Sequence, residues 1–182
     1  MRRELWILLF AGNVWYFGEG MLGPLFAVFA SRIGGDILEI AWAWAVFLIV
    51  SGILTIVVGK ISDKYDKRRL MIAGYALNAV ATFGYLFVSD TATLFAVQIL
   101  LGIANALATP TWDALVDKYS GRKQDGTVWG LADGLPQIVT GIAAVCGALV
   151  LTYSSFTVLF FAMGCVQVAA AILQYRILYK AR

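Results

Sequence analysis

Three carboxylates, Glu19, Asp113 and Asp133, stand inside long apolar runs of this sequence. If those runs are helices in hydrocarbon, a carboxylate near mid-depth costs about 2.5 to 3.5 kcal/mol on insertion scales, so it must face a cavity, find donors or be neutralised. The chemistry open to such groups is carrying protons or binding a cation or a hydroxyl-rich solute. Glu19 falls about midway along its run, and no Lys or Arg lies at that depth in any run. Its helical face includes Gly12, Tyr16 and Gly23, with room in places for water or a solute beside the carboxylate. Gln98, Gly102, Asn105, Thr109 and Asp113 follow at steps of 4, 3, 4 and 4, and Gly130, Asp133, Gln137 and Thr140 at steps of 3, 4 and 3. Each set makes one face of a helix, and neither face can sit against acyl chains without several kcal/mol of cost. Both are expected at a water-accessible cavity, whereas Tyr75, Asn78 and Thr82 read as contacts between helices. Trp15, Tyr16 and Trp112 could add aromatic faces, although aromatics in such helices more often pack or anchor.

The elements that must position these groups follow from composition. The 182 residues are 61% hydrophobic and 14% charged, too apolar for a soluble domain, and a helix needs about 20 apolar residues to cross about 30 Å of hydrocarbon. Six runs qualify: about Leu5 to Phe29, Leu38 to Val58, Leu70 to Val88, Leu94 to Val116, Val128 to Leu151 and Phe156 to Leu178. The first is too long for a signal-peptide core. The expected fold is an all-α, multi-pass integral membrane protein, one six-helix domain over 1–182. Of the 14 Lys and Arg, only Arg32 falls on the side opposite the termini; Arg122 and Lys123 belong with the majority. Positive charge resists translocation, so both termini should be cytoplasmic, in a plasma or bacterial inner membrane. The basic balance therefore serves topology and implies no nucleic acid. There is no His and no recognisable nucleophile arrangement, and Cys146 and Cys165 lie in apolar runs away from ligand spacing. No enzyme, cofactor or metal site is expected.

The loop between the second and third runs is the most specific stretch. Gly59, Asp63 four residues on, Lys64 beside it, and the basic run Lys67, Arg68 and Arg69 resemble the G-x-x-x-D-[RK]-x-G-[RK]-[RK] motif of the major facilitator superfamily of transporters. Asp66 stands where that motif has its second glycine. With six spans and a second basic loop after the fourth, nearly the whole chain looks like the N-terminal half of such a transporter. The resemblance implies that helices one and four line a translocation path, two and five flank it, and three and six lie outside. It also implies a gating role for Gly59, Asp63, Lys64, Lys67 and Arg68. Gln98 holds the place of a buried arginine common in proton-coupled members, and Gly141 is followed by Ile142 where drug antiporters often have a Gly-Pro pair, so drug antiport is not supported by motif.

Glu19 lies five residues before Pro24, and Asn105 five before Pro110, which suggests two three-helix repeats, about 1–88 and 89–182. The family normally has twelve spans in one chain. A unit of six with both ends on one side can reproduce that arrangement by pairing with a copy of itself, so the leading expectation is a parallel homodimer that moves a small solute or ion by alternating access. The alternatives are a subunit of a heteromeric split transporter, a non-transporting membrane assembly factor, or a piece of a longer transporter.

Overall fold

The computed structural model describes residues 3–120 and 125–179; Arg122 and Lys123, and with them part of the second basic loop, lie outside the described residues. The helices are α1 (Arg3–Leu22), α2 (Phe26–Arg32), α3 (Ile37–Ser62), α4 (Lys67–Gly84), α5 (Thr91–Tyr119), α6 (Asp125–Tyr153) and α7 (Phe156–Tyr179). A 3-10 turn at Gly23–Leu25 joins α1 to α2, and another at Tyr85–Phe87 ends α4. Six stretches are long and apolar enough to cross a membrane: Arg3–Arg32, Ile37–Ser62, Lys67–Phe87, Thr91–Tyr119, Gly126–Tyr153 and Phe156–Ile177. They coincide with the six apolar runs to within a few residues at each end. The first span is α1 and α2 together, bent at the turn that holds Pro24.

Short polar segments start the helices. Asp36 accepts from the Glu39 amide at 2.8 Å while the Glu39 carboxylate accepts from the Asp36 amide at 3.2 Å, a reciprocal cap that satisfies two donors of the first turn of α3. Asp90 and Thr93 do the same for α5. Thr91 also donates to Glu39 at 3.2 Å, tying the starts of α3 and α5 together. At the same end of the bundle Arg32 lies over the Phe156 ring, 5.4 Å from its centroid, which gives the one basic residue on that side an aromatic partner.

Four helices make a closed core: α1 packs on α7, α7 on α4, α4 on α5, and α5 touches α1 only lightly. Two more lie outside it, α3 along α5 and α6 along α1. Glycines let these axes approach. A Cβ on Gly74 would sit 2.7 Å from the backbone of Ala104 and Ala108 in α5, and one on Gly20 would sit 2.9 Å from Thr140 Cα in α6, the close packing by small residues that replaces the hydrophobic effect in lipid. One apolar cluster, with Phe29, Tyr85, Phe156 and Phe160, fills the end away from the termini. A second, with Leu5, Leu8, Met71, Leu115 and Ile177, fills the end that carries them. A polar layer lies between the two.

Candidate functional site

Glu19 is at the centre of that layer. Its Oε1 accepts from Asn78 Nδ2 on α4 at 2.8 Å and from Gln167 Nε2 on α7 at 3.0 Å. Gln167 also donates to the Trp15 carbonyl at 3.2 Å. Gly18 makes the second contact achievable, because a Cβ there would lie 2.6 Å from Gln167 Nε2. Both donors are neutral amides, and the two ion pairs among the described residues, Lys67 with Asp63 and Arg68 with Asp66, belong to the loop between α3 and α4.

Where α1 and α5 touch only lightly, a cavity of about 320 Å³ opens beside Glu19. Tyr16, Phe26, Trp44, Phe47, Tyr85, Gln98 and Thr140 contribute to its wall. Gln98 is buried and accepts from the Tyr85 hydroxyl at 3.1 Å, which fixes both side chains at the cavity edge. Further towards the termini, a smaller pocket of about 50 Å³ is lined by Tyr16, Asn105, Thr109, Trp112 and Asp113. There Thr109 donates to Asn105 Oδ1 at 2.9 Å, and Asn105 Nδ2 donates to Ser51 on α3 at 2.7 Å. Asp133 and Gln137 line an open groove on α6 that Tyr16 also borders. The eight candidate residues of the sequence thus fall at three neighbouring concavities, and Tyr16 touches all three.

Not every residue of the polar faces is open. Gly12 is buried under Trp112, whose ring would lie 3.3 Å from a Cβ there, so it leaves no space beside Glu19, unlike Gly23, which borders the cavity. Gly102 seats the backbone of Phe47 and the side chain of Val50. Tyr75, Asn78 and Thr82 are all buried, and Tyr75 also borders the smaller pocket and Thr82 the cavity beside Glu19. Sequence reasoning missed Gln167 and Gln174, amides seven residues apart on one face of the otherwise apolar α7. Their spacing was the available signal, and both are fully enclosed.

The chain matches the profile of the Major Facilitator Superfamily over residues 8–181. It belongs to that superfamily. Among major facilitator proteins it is 26% identical over 171 residues to an uncharacterised MFS-type transporter of Methanocaldococcus jannaschii, covering 94% of this chain and 44% of the relative. It is 22% identical over 160 residues to a chloramphenicol resistance protein of Pseudomonas aeruginosa, covering 87% of this chain and 38% of that one. The chain spans about half the length of these two relatives. An uncharacterised MFS-type transporter of Bacillus subtilis is 17% identical over 147 residues, which are 81% of this chain and 90% of that protein.

The major facilitator loop has a local reason for its departure at position 66. Asp66 is the N-cap of α4 at φ −68°, accepting from the Arg68 amide at 3.0 Å and from the Arg68 guanidinium at 3.1 and 3.2 Å. The backbone there needs no positive φ, so a glycine is not required and a carboxylate can cap instead. The Arg68 side chain holds the Asp66 carboxyl below the usual carboxylate range. Asp63, by contrast, keeps its side chain 80% exposed and among the described residues pairs with Lys67, at 3.2 Å. Gly59 borders open space, and Lys64 is exposed.

Proposed function

We propose that this chain is one six-helix half of a transporter that moves a small solute by alternating access, with Glu19 as its principal functional carboxylate. The observation that carries the reading is the cavity between α1 and α5, large enough for a ligand and bordered by an acid whose hydrogen-bond partners are uncharged. Small-ligand sites are typically concave, mainly apolar and furnished with a few convergent polar groups. Asn105, Thr109 and Asp113 on one side of Tyr16, and Asp133 and Gln137 on the other, extend the path.

A second six-helix unit completes it. α3 and α6 are the least buried of the spans, and Gly52, Gly59, Gly126, Gly130, Gly134 and Gly141 on them meet nothing within 4 Å. Unfilled glycines on lipid-length helices suit close approach of another helix. We take the second unit to be a copy of this chain, parallel to the first, with α3 of one protomer against α6 of its partner in an isologous pair. The Bacillus subtilis relative, 90% of which aligns with this chain, favours a half-length unit. The longer relatives, of which the chain covers 44% and 38%, favour a different second half, contributed by another chain or by further sequence. In either case the termini face the cytoplasm of a plasma or bacterial inner membrane, as the basic loops imply, and two three-helix repeats, about 1–88 and 89–182, build the half.

Solute uptake by the purified chain reconstituted alone, together with its oligomeric state in mild detergent, separates these. A dimer that transports supports the homodimer. A monomer that transports only with a second polypeptide supports the split form. A monomer that transports with nothing ends the reading in favour of an assembly factor.

A further inference from the structure

We infer that the Glu19 cavity binds an organic monocation with an apolar, aromatic-sized body. The inference rests on the transporter reading above and names the solute class for that site. Phe26, Trp44 and Phe47 form one continuous wall, with ring centroids 6.0 Å apart for Phe26 and Trp44 and 5.4 Å for Trp44 and Phe47. All three line the same cavity as the acid, as does Tyr85. Aromatic faces attract a cation through the ring quadrupole, most strongly where water is excluded.

The acid supplies the charge. Glu19 Oε1 already holds two amide N–H groups, and no hydrogen bond to Oε2 occurs among the described residues. Among the described residues no Lys or Arg lines the cavity. An ionised carboxylate at this depth has dipoles around it but no counterion, and a bound cation would provide one.

Two of the other polar groups are already paired. Thr82 donates its hydroxyl to the Asn78 carbonyl at 2.8 Å, and Tyr85 donates its own to Gln98 at 3.1 Å. Both hydroxyls already have acceptors, so neither is a free donor for a hydroxyl-rich solute. The cavity of about 320 Å³ has room for one ring bearing a quaternary or amine head.

The test is equilibrium dialysis of benzyltrimethylammonium against the purified chain in nanodiscs, with empty nanodiscs correcting for partition and the neutral carbon isostere neopentylbenzene as the comparison. The wild type should bind the cation at least about tenfold tighter than the isostere. Glu19→Gln should erase that preference, and Trp44→Leu should weaken cation binding roughly 3- to 30-fold. Equal binding of the isostere, no binding of the cation, or an undiminished preference in Glu19→Gln overturns the inference. If Glu19→Gln does not fold, the two ligands on the wild type and Trp44→Leu still decide. Should the chain carry another solute while ignoring the cation, the solute class falls and the transporter reading stands. Binding of the cation by a chain that carries nothing has the opposite meaning.

Discussion

Asn78 Nδ2 lies 2.8 Å from Glu19 Oε1 and joins the third span to the first at the depth where neither could leave a polar group in lipid. Gln167 reaches the same oxygen from the sixth span at 3.0 Å. The carboxylate is therefore held by α4 and α7 through one oxygen, while the other has no hydrogen bond among the described residues.

Hydrogen bonds between transmembrane helices average about 0.6 kcal/mol and reach about 1.7. Asn78→Ala and Gln167→Ala should each lower stability within that range, and a double-mutant cycle of either with Glu19→Ala should give a coupling of the same size. Reversible unfolding in mixed micelles measures both. A coupling of zero would mean that the pairs do not form.

The contact of α1 with α6 gives a sharper contrast. Gly20→Ala places a methyl 2.9 Å from Thr140 Cα and 3.0 Å from Ala143 Cβ, so backbone must move, at a cost of about 1 to 3 kcal/mol. Gly23→Ala meets nothing within 4 Å and should stay within about 0.5 kcal/mol of the wild type. Equal losses at the two positions would place α6 elsewhere.

These two glycines also mark where the sequence stops being informative. Apolar run length and the basic loops carry the six spans, because lipid imposes both from outside the chain. Three and four residue spacing shows that Gln98, Asn105, Thr109 and Asp113 share a face. It does not say what meets that face, so Gly102 seats α3 and Gly12 seats Trp112 although both stand on polar stripes. Gln167 was the reverse case: with Gln174 it makes only two amides on one face of a mostly apolar helix, which reads as tolerated polarity until α7 is seen against Glu19. Pro24 and Pro110 look equivalent in spacing, yet the first lies in a 3-10 turn between α1 and α2 and the second inside an unbroken α5.

Asp66 allows the loop to be tested apart from transport. Asp66→Ala removes the cap of α4 and should cost about 0.5 to 2 kcal/mol, whereas Asp66→Gly, which restores the motif residue, should cost only a few tenths. Asp66→Asn keeps the cap and loses the charge pair with Arg68. Because the folded carboxyl is held below its usual range, the pair contributes above about pH 4, the ordinary aspartate value. Its contribution is lost as pH falls through the depressed value. The small advantage of wild type over Asp66→Asn should shrink on acidification and be flat near neutrality, by thermal unfolding in detergent.

Lys64 and Asp90 are both exposed, at opposite ends of α4 and its terminal turn. Single cysteines at these positions, with Cys146 and Cys165 replaced, should react with impermeant reagents from opposite faces of the membrane, Lys64 from the cytoplasmic one. Labelling of both from one face would end the six-span arrangement.

Asp63 is the residue whose role depends most on a partner. Its side chain is 80% exposed and its one ion pair among the described residues is local, to Lys67 at 3.2 Å, so Asp63→Asn should change the stability of the isolated unit by less than about 0.5 kcal/mol. In a homodimer the motif aspartate would meet the N-terminal end of the partner's α6. An anion there gains about 0.3 to 1 kcal/mol, and up to about 2 when partly buried. Two-fold symmetry makes the contact twice, and losing both at about 1 kcal/mol each would move an inward/outward equilibrium roughly 30-fold. Asp63→Asn should therefore leave the dimer assembled, favour the inward-open state and slow transport. A cysteine at Asn105, labelled from the cytoplasmic side, reads the shift directly: faster labelling at unchanged stability supports the gate, and unchanged labelling returns Asp63 to a solvated loop.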